Sequence, residues 1–199
     1  MKSNIIVTIG REFGSGGREV GIHLAELMGI NYYDKKLIIE AAKHSGLSDE
    51  YIEQAEEKIP GRLFYAFTMG FGFNSGFNED SIYKIEADTI KSIAEKESCV
   101  IIGRSADYVL HENPNCINIF IHAPEEIRIK RVSERENINL KKATELVNKI
   151  DKTRAAYYDF YTDKQWGASA SYHLSIDSSV LGIEKSAEFI NDFIKRIQQ

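Results

Sequence analysis

Apolar residues in this chain fall into two patterns along its length, and the two alternate. Short runs of β-favouring residues read as strands, and stretches in which apolar positions recur every three or four residues read as amphipathic helices. Ile5 to Ile9 is the first run. It leads into a turn holding Gly10, Gly14, Gly16 and Gly17, after which Val20, Leu24, Leu27 and Met28 form a helical stripe. Ile30 to Tyr33 reads as a short strand behind a cap at Gly29, and Asp34 caps a helix from Lys35 to His44 that ends near Gly46. Ser48 opens a polar helix reaching about Lys58, stopped by Pro60-Gly61. Ile82, Ile85, Thr89 and Ile93 mark an amphipathic helix over Glu79 to Lys96. Cys99 to Ile102 is a continuous apolar strand, and Ile117 to His122 is the next. Ala123-Pro124-Glu125-Glu126 then opens a helix with proline in its first turn and acids at its positive end. A long helix from Leu140 to about Tyr161 carries the stripe Leu146, Val147 and Ile150. Tyr172 to Ile176 reads as the last strand, Asp177-Ser178-Ser179 as the turn after it, and Ile183 to Ile197 as a closing amphipathic helix.

Five apolar strands alternating with helices indicate a three-layer α/β domain with a parallel sheet. One stretch resists this reading. Between positions 62 and 77, Phe64, Tyr65, Phe67, Phe71, Phe73 and Phe77 stand among glycines with neither helical nor strand spacing. So many aromatics call for cover, either as a lid over a bound acceptor or as a homodimer contact, and a mobile loop is the plain alternative.

Composition narrows the class. At 199 residues the chain fits one domain able to bury a substantial core, and 43% hydrophobic with 28% charged residues is ordinary for a soluble protein. No apolar run approaches the roughly 20 residues needed to cross a bilayer, and the expected location is cytoplasmic. Cys99 and Cys116 each begin a strand and read as reduced core residues. A net charge of -5 argues against nucleic-acid binding, although a small phosphorylated ligand needs only a local cluster of cations.

That cluster has candidates. Glycines in the first loop let several backbone N–H groups turn inward while the following helix aims its positive end at the same point, which suits a phosphate. The loop is not a standard P-loop: alignment on Gly14-Ser15-Gly16 places Gly17 where the lysine belongs and Arg18 where the magnesium-binding hydroxyl belongs. Arg11 or Arg18 can supply the missing cation, since a guanidinium grips phosphate oxygens in a bidentate way. Arg104 leaves the carboxyl end of a buried strand, where ligands of parallel sheets bind, and Asp34 lies at a similar end as helix cap or substrate contact. Arg128, Arg131 and Arg135 recur on one helix face, and with Lys149, Lys152 and Arg154 of the next helix they suggest either a basic hairpin closing over phosphates or, with acids interspersed at Glu134, Glu136, Glu145 and Asp151, a solvated charged face.

Three segments carry a family resemblance. Val7 to Glu19, Tyr33-Asp34-Lys35-Lys36-Leu37-Ile38, and Ile101-Ile102-Gly103-Arg104-Ser105-Ala106 resemble the cytidylate kinase-like family, a branch of the P-loop nucleoside monophosphate kinases. Ile119 to Glu126 with Arg128 and Arg131, and the terminal Ile176-Asp177-Ser178-Ser179, extend the likeness over nearly the whole chain. The resemblance implies a single domain over 1–199 with strand order 2-3-1-4-5, an acceptor-side insertion at about 45–97 and a helical lid at about 128–160. It implies ATP and Mg2+, and a nucleotide as small-molecule partner, with CMP or dCMP the first acceptor to consider. Arg11, Gly14, Ser15, Gly16, Gly17, Arg18 and Glu19 then face the donor, Asp34, Arg104 and Asp107 the acceptor, and Arg18, Arg131, Arg135 and Arg154 the transferring group. No residue is assigned as a metal ligand. Cytidylate kinases carry Asp-Gly-Arg-Asp where this chain has Ile102-Gly103-Arg104-Ser105, so a non-catalytic nucleotide-binding regulator and a kinase of a non-nucleotide metabolite stand as alternatives.

Overall fold

The computed structural model describes residues 4–44 and 79–198. The helix expected from Ser48 and the aromatic stretch at 62–77, with its lid and homodimer readings, lie outside those residues.

Five parallel strands form one sheet in the order β2-β3-β1-β4-β5, as expected. They are β1 (Ile6–Arg11), β2 (Asn31–Tyr33), β3 (Cys99–Ile102), β4 (Cys116–His122) and β5 (Leu174–Asp177). The central strand pairs Ile6 with Cys99 on one side and with Cys116 on the other, so both neighbours deliver their carboxyl ends beside Arg11.

Side-chain alternation sorts the strands into two apolar faces. Val7, Ile9, Val100, Ile102, Ile119, Ile121 and Ile176 meet α1 (Gly17–Met28) through Val20 and Leu24, and α7 (Ser178–Ile197) through Ile190 and Ile194. Ile6, Cys99, Ile101 and Cys116 face the other way, onto Ile38 of α2 (Lys35–His44) and Ile90 and Ile93 of α3 (Glu79–Lys96). That face is completed by a short helix, α4 (Ala106–Val109). Both cysteines are free and buried. A third cluster lies above the sheet: Phe13 of the glycine loop inserts among Val132 of α5 (Glu125–Glu136) and Ala143, Val147 and Ile150 of α6 (Leu140–Tyr161). Asn139 caps α6, its side chain accepting from the Lys142 amide.

The starts of β5 and α7 differ from those the sequence suggests, and one short helix shows no period in it. β5 starts at Leu174, because Ser169–Ser171 forms a 3-10 turn and the Tyr172 ring turns onto Phe120, 4.9 Å away between centroids. α7 starts at Ser178, five residues early, because Asp177 accepts the Ser179 amide at 2.8 Å and caps the helix. Gly182, with φ 77°, interrupts that helix and hides its first turn from a periodicity search. The four-residue α4 is too short to show a period.

Candidate functional site

The glycine loop joins β1 to α1, and hydrogen bonds fix its shape at both ends. Glu12 donates its amide to Ile121 O at 3.1 Å, and the buried Ser15 hydroxyl donates to Glu12 O at 2.9 Å while accepting the Gly17 amide at 3.3 Å. Gly14 and Gly16 have φ of 81° and 78°, the left-handed conformation that a Cβ disfavours. Among the described residues no acceptor lies on the amides of Gly14, Gly16, Arg18 and Glu19, so the loop presents a nest of donors at the N-terminus of α1.

Arginines gather beside it. Arg11, at the end of β1, runs past Gly17 toward the turn at Gly103. Burial lowers its pKa well below the ordinary guanidinium range, and the nearby charges of Arg154 and Arg104 push in the same direction. Arg18 is half-exposed and donates Nε and Nη2 to Asp34 Oδ2 at 3.0 and 2.8 Å. Burial pulls its pKa down, but the hydrogen bond and charge of Asp34 outweigh that and raise it. Asp34 serves twice, since its Oδ1 also accepts the Leu37 amide at 3.2 Å as the cap of α2.

Arg104 follows Gly103 in a left-handed turn, with φ 60° of its own. Glu86 of α3 pairs with its guanidinium, Nε lying 2.7 Å from Glu86 Oε2, and Nη2 donates to the Tyr157 hydroxyl at 2.9 Å. The Tyr157 ring also stacks under it at 4.5 Å. Burial works against the Arg104 charge, yet Glu86 overcompensates and raises its pKa. Lys35 lies near the same group: burial, then the Arg104 charge, lower it to about 7.

The basic helices divide their arginines among different tasks. Arg128 is 8% exposed and turned inward, donating to Ala123 O at 2.9 Å and Phe13 O at 3.2 Å and pairing with Asp151 and Glu12. It clasps the hairpin to the loop, where the sequence suggests a phosphate-facing cation. Arg131 reaches the loop, with Nη1 donating to Ser15 O and Ser178 Oγ, both at 3.0 Å. Arg154 donates to Arg11 O at 3.0 Å, and burial lowers it to about 10, with Arg135 and Arg128 adding to the effect against Asp151. Arg135 is held by Glu136 at 2.9 Å and lies over the Phe13 ring at 5.0 Å.

Of the residues singled out from the sequence, the structure brings together Arg11, Arg18, Asp34, Arg104 and Arg154 next to the loop. Glu19 sits in the first turn of α1 beside Arg18. Asp107 stands apart: it is buried in α4, where burial raises its pKa and the Tyr158 hydroxyl donates to it at 2.6 Å. Lys35, Glu86 and Tyr157 are the partners that sequence reasoning missed. Lys35 alone carried a signal, as the residue after Asp34 at a strand's carboxyl end. Glu12 also lines a cavity of about 550 Å³, together with Phe120, His122, Trp166 and Asp177. No helix among the described residues is long and apolar enough to cross a membrane.

Residues 6–180 match the profile of the cytidylate kinase-like family. The chain is 28% identical over 198 residues to a cytidylate kinase of Staphylothermus marinus, spanning 96% of this chain and 97% of that one. It is 25% identical over 185 residues to a cytidylate kinase of Methanococcus aeolicus, spanning 90% and 92%. Among solved structures, an uncharacterised protein from Eubacterium ventriosum superposes with a TM-score of 0.75 at 32% identity, over 96% of this chain and 99% of that one. A shikimate kinase from Acinetobacter baumannii, in complex with shikimate, superposes with a TM-score of 0.54 at 16% identity, over 98% and 94%. The latter is a likeness of fold alone.

Proposed function

Because the chain belongs to the cytidylate kinase-like family, we propose that it is an ATP-dependent phosphotransferase acting on a nucleoside monophosphate, with CMP and dCMP as first acceptors. The observation that carries this reading is the convergence of Arg11, Arg18, Arg104 and Arg154 beside a loop with free amides. Four guanidinium groups against Asp34 and Glu86 leave a surplus of positive charge where β1, β2 and β3 end, which suits the several negative charges of two phosphorylated substrates meeting there.

In this reading the amides of Gly14, Gly16, Arg18 and Glu19 at the N-terminus of α1 hold the donor phosphates, and Arg104 holds the phosphate of the acceptor. An acceptor oxygen attacks the γ-phosphorus in line as the bond to the β–γ bridging oxygen breaks, and the electrons leave on ADP. The protein's part is to align the two and to spread the charge, so arginines matter more than any acid or base. Arg154, which donates to Arg11 O, is assigned to the transferring group in this reading, and Arg131 braces the loop through Ser15 O. Arg135, tied to Glu136, is the weakest of the assigned cations. The acceptor's base falls to the insertion at about 45–97, and the hairpin at about 128–160 covers the donor side.

The residues suit Mg2+ less well than ATP. The position of the usual hydroxyl ligand is Arg18, both oxygens of Asp34 are engaged, and no group of three or more acid, histidine or cysteine side chains among the described residues forms a cation site. Magnesium would thus be held by the nucleotide's own phosphates.

The test is ADP formation with Mg·ATP across a panel of nucleoside monophosphates. Acceptor-dependent turnover that Arg104→Ala abolishes, with the fold intact by circular dichroism, supports the proposal. ATP binding with no turnover on the whole panel rejects it in favour of a nucleotide-binding regulator, and turnover on a non-nucleotide acceptor alone rejects the acceptor class.

A further inference from the structure

With glycine at the lysine position of the loop, Arg11 and Arg18 are the two available substitutes, and the structure separates them. Arg18 is committed: both its Nε and Nη2 donate to Asp34, and half of its side chain faces solvent. Arg11 is not: among the described residues no hydrogen-bond acceptor or ion-pair partner contacts its guanidinium, and its near neighbours Arg154 and Arg104 carry like charge. A partly exposed guanidinium set among three other arginines, with the charge of Asp34 nearby but no acceptor bonded to it among the described residues, is a group whose partner comes from outside.

The space around it supports the same assignment. A Cβ at Gly17 would stand 2.5 Å from Arg11 Cβ and 3.1 Å from its Cγ, and one at Gly103 would run into its guanidinium. Gly103 needs to be glycine for its φ of 83° as well, but Gly17 is an ordinary first residue of α1, so only crowding explains its missing side chain. The stem of Arg11 therefore fills the volume through which a lysine at position 17 would leave the helix. The two arrangements exclude each other, and the two glycines form the passage by which Arg11 reaches the loop.

We propose that Arg11 is the phosphate-binding cation of this loop, supplied from the end of β1 in place of the absent lysine at position 17. It contacts the donor's phosphate oxygens directly. The inference rests on the kinase reading only for the identity of that donor as ATP; the binding of a polyphosphate anion is argued from the loop itself.

The experiment is calorimetric titration of inorganic tripolyphosphate, and separately of Mg·ATP, into the full chain. The variants are Arg11→Met, which keeps the stem, Arg11→Lys, Arg18→Ala, Gly17→Lys and the double variant Arg11→Gly/Gly17→Lys, which also removes the Arg11 Cβ that a side chain at 17 would meet. Arg11→Met is expected to weaken tripolyphosphate by about tenfold or more, the loss of one charge-assisted hydrogen-bonded pair. Arg18→Ala should weaken it less. Gly17→Lys alone should lose binding because its stem collides with Arg11, and the double variant should regain part of the wild-type affinity. A purely structural role for Arg11 predicts no such rescue. Wild-type affinity in Arg11→Met overturns the proposal, as does a wild-type chain that does not bind tripolyphosphate. Should Arg11→Met not fold, Arg11→Lys decides: intermediate affinity supports the assignment, and unchanged affinity for both anions overturns it. Arg11-dependent tripolyphosphate binding without any ATP turnover rejects the kinase reading alone, whereas full turnover in Arg11→Met rejects this inference alone.

Discussion

Replacing Arg128 by methionine tests whether the helical hairpin is clasped to the glycine loop. The substitution keeps the length and apolar stem of the side chain and removes four interactions. These are the hydrogen bonds to Ala123 O at 2.9 Å and Phe13 O at 3.2 Å, and the ion pairs with Asp151 at 2.5 Å and Glu12 at 3.2 Å. Removing one partner of a buried ion pair costs about 3–5 kcal/mol, because the remaining charge stays in a poorly hydrated place. Two features reduce that figure here. Asp151 retains the Phe13 amide at 2.7 Å and Glu12 retains the Ala123 amide at 3.1 Å, and both acid side chains have some access to water, at 17% and 25% exposure. The expected loss is therefore near the lower bound, about 3 kcal/mol, or about 6–12 °C in Tm for a chain of this size. Urea unfolding followed by circular dichroism measures it. Arg128→Met combined with Asp151→Asn should cost less than the two single losses added, since each removes the same pair. A loss below about 1 kcal/mol would place Arg128 in the class of solvated surface cations and refute the clasp.

Other predictions follow from the same geometry. Gly17→Ala brings a methyl group against Arg11 Cβ and 3.1 Å from Ile121 Cβ, and should lower stability by about 1–3 kcal/mol in thermal melts. Glu86→Gln removes the charge that holds the Arg104 guanidinium; steady-state kinetics should give about a tenfold higher KM for the acceptor with ATP affinity unchanged, and an unchanged acceptor KM would refute the positioning role. Lys35 is lowered from its ordinary 10.5 to about 7 by burial and then Arg104, so between those values the unfolded chain binds the proton more tightly. Stability from this group accordingly rises with pH across that window, and the slope of Tm against pH between 7 and 9 should be shallower in Lys35→Met than in the wild type.

Much of this fold was legible because its strands are short apolar runs and its helices have strong periods. The bounds Cys99–Ile102, Lys35–His44 and Glu79–Lys96 follow from local pattern alone. The glycine loop was legible too, since only glycine tolerates the φ values at positions 14 and 16. What pattern cannot supply is pairing between distant positions. Arg128, Arg131 and Arg135 share a spacing, yet their roles are set by Glu12 and Asp151, by Ser15 and Ser178, and by Glu136 and Phe13. Arg18 reads as a phosphate-binding cation, and only the fold brings Asp34, sixteen residues on, against it. Asp107 reads as a ligand beside the Arg104 motif, but α4 turns it toward Tyr158 of α6, 51 residues on.

The position of β1 has a consequence for how the chain comes into being. It precedes in the chain both of the strands that flank it, β3 and β4, whose residues begin at Cys99 and Cys116. Synthesis at about 5–20 residues per second leaves its six residues with two bare edges for many seconds before either neighbour exists. The nascent β1, an apolar and β-prone segment, must therefore be shielded by something other than its own sheet, and release of a chain cut short before Cys99 should yield aggregates.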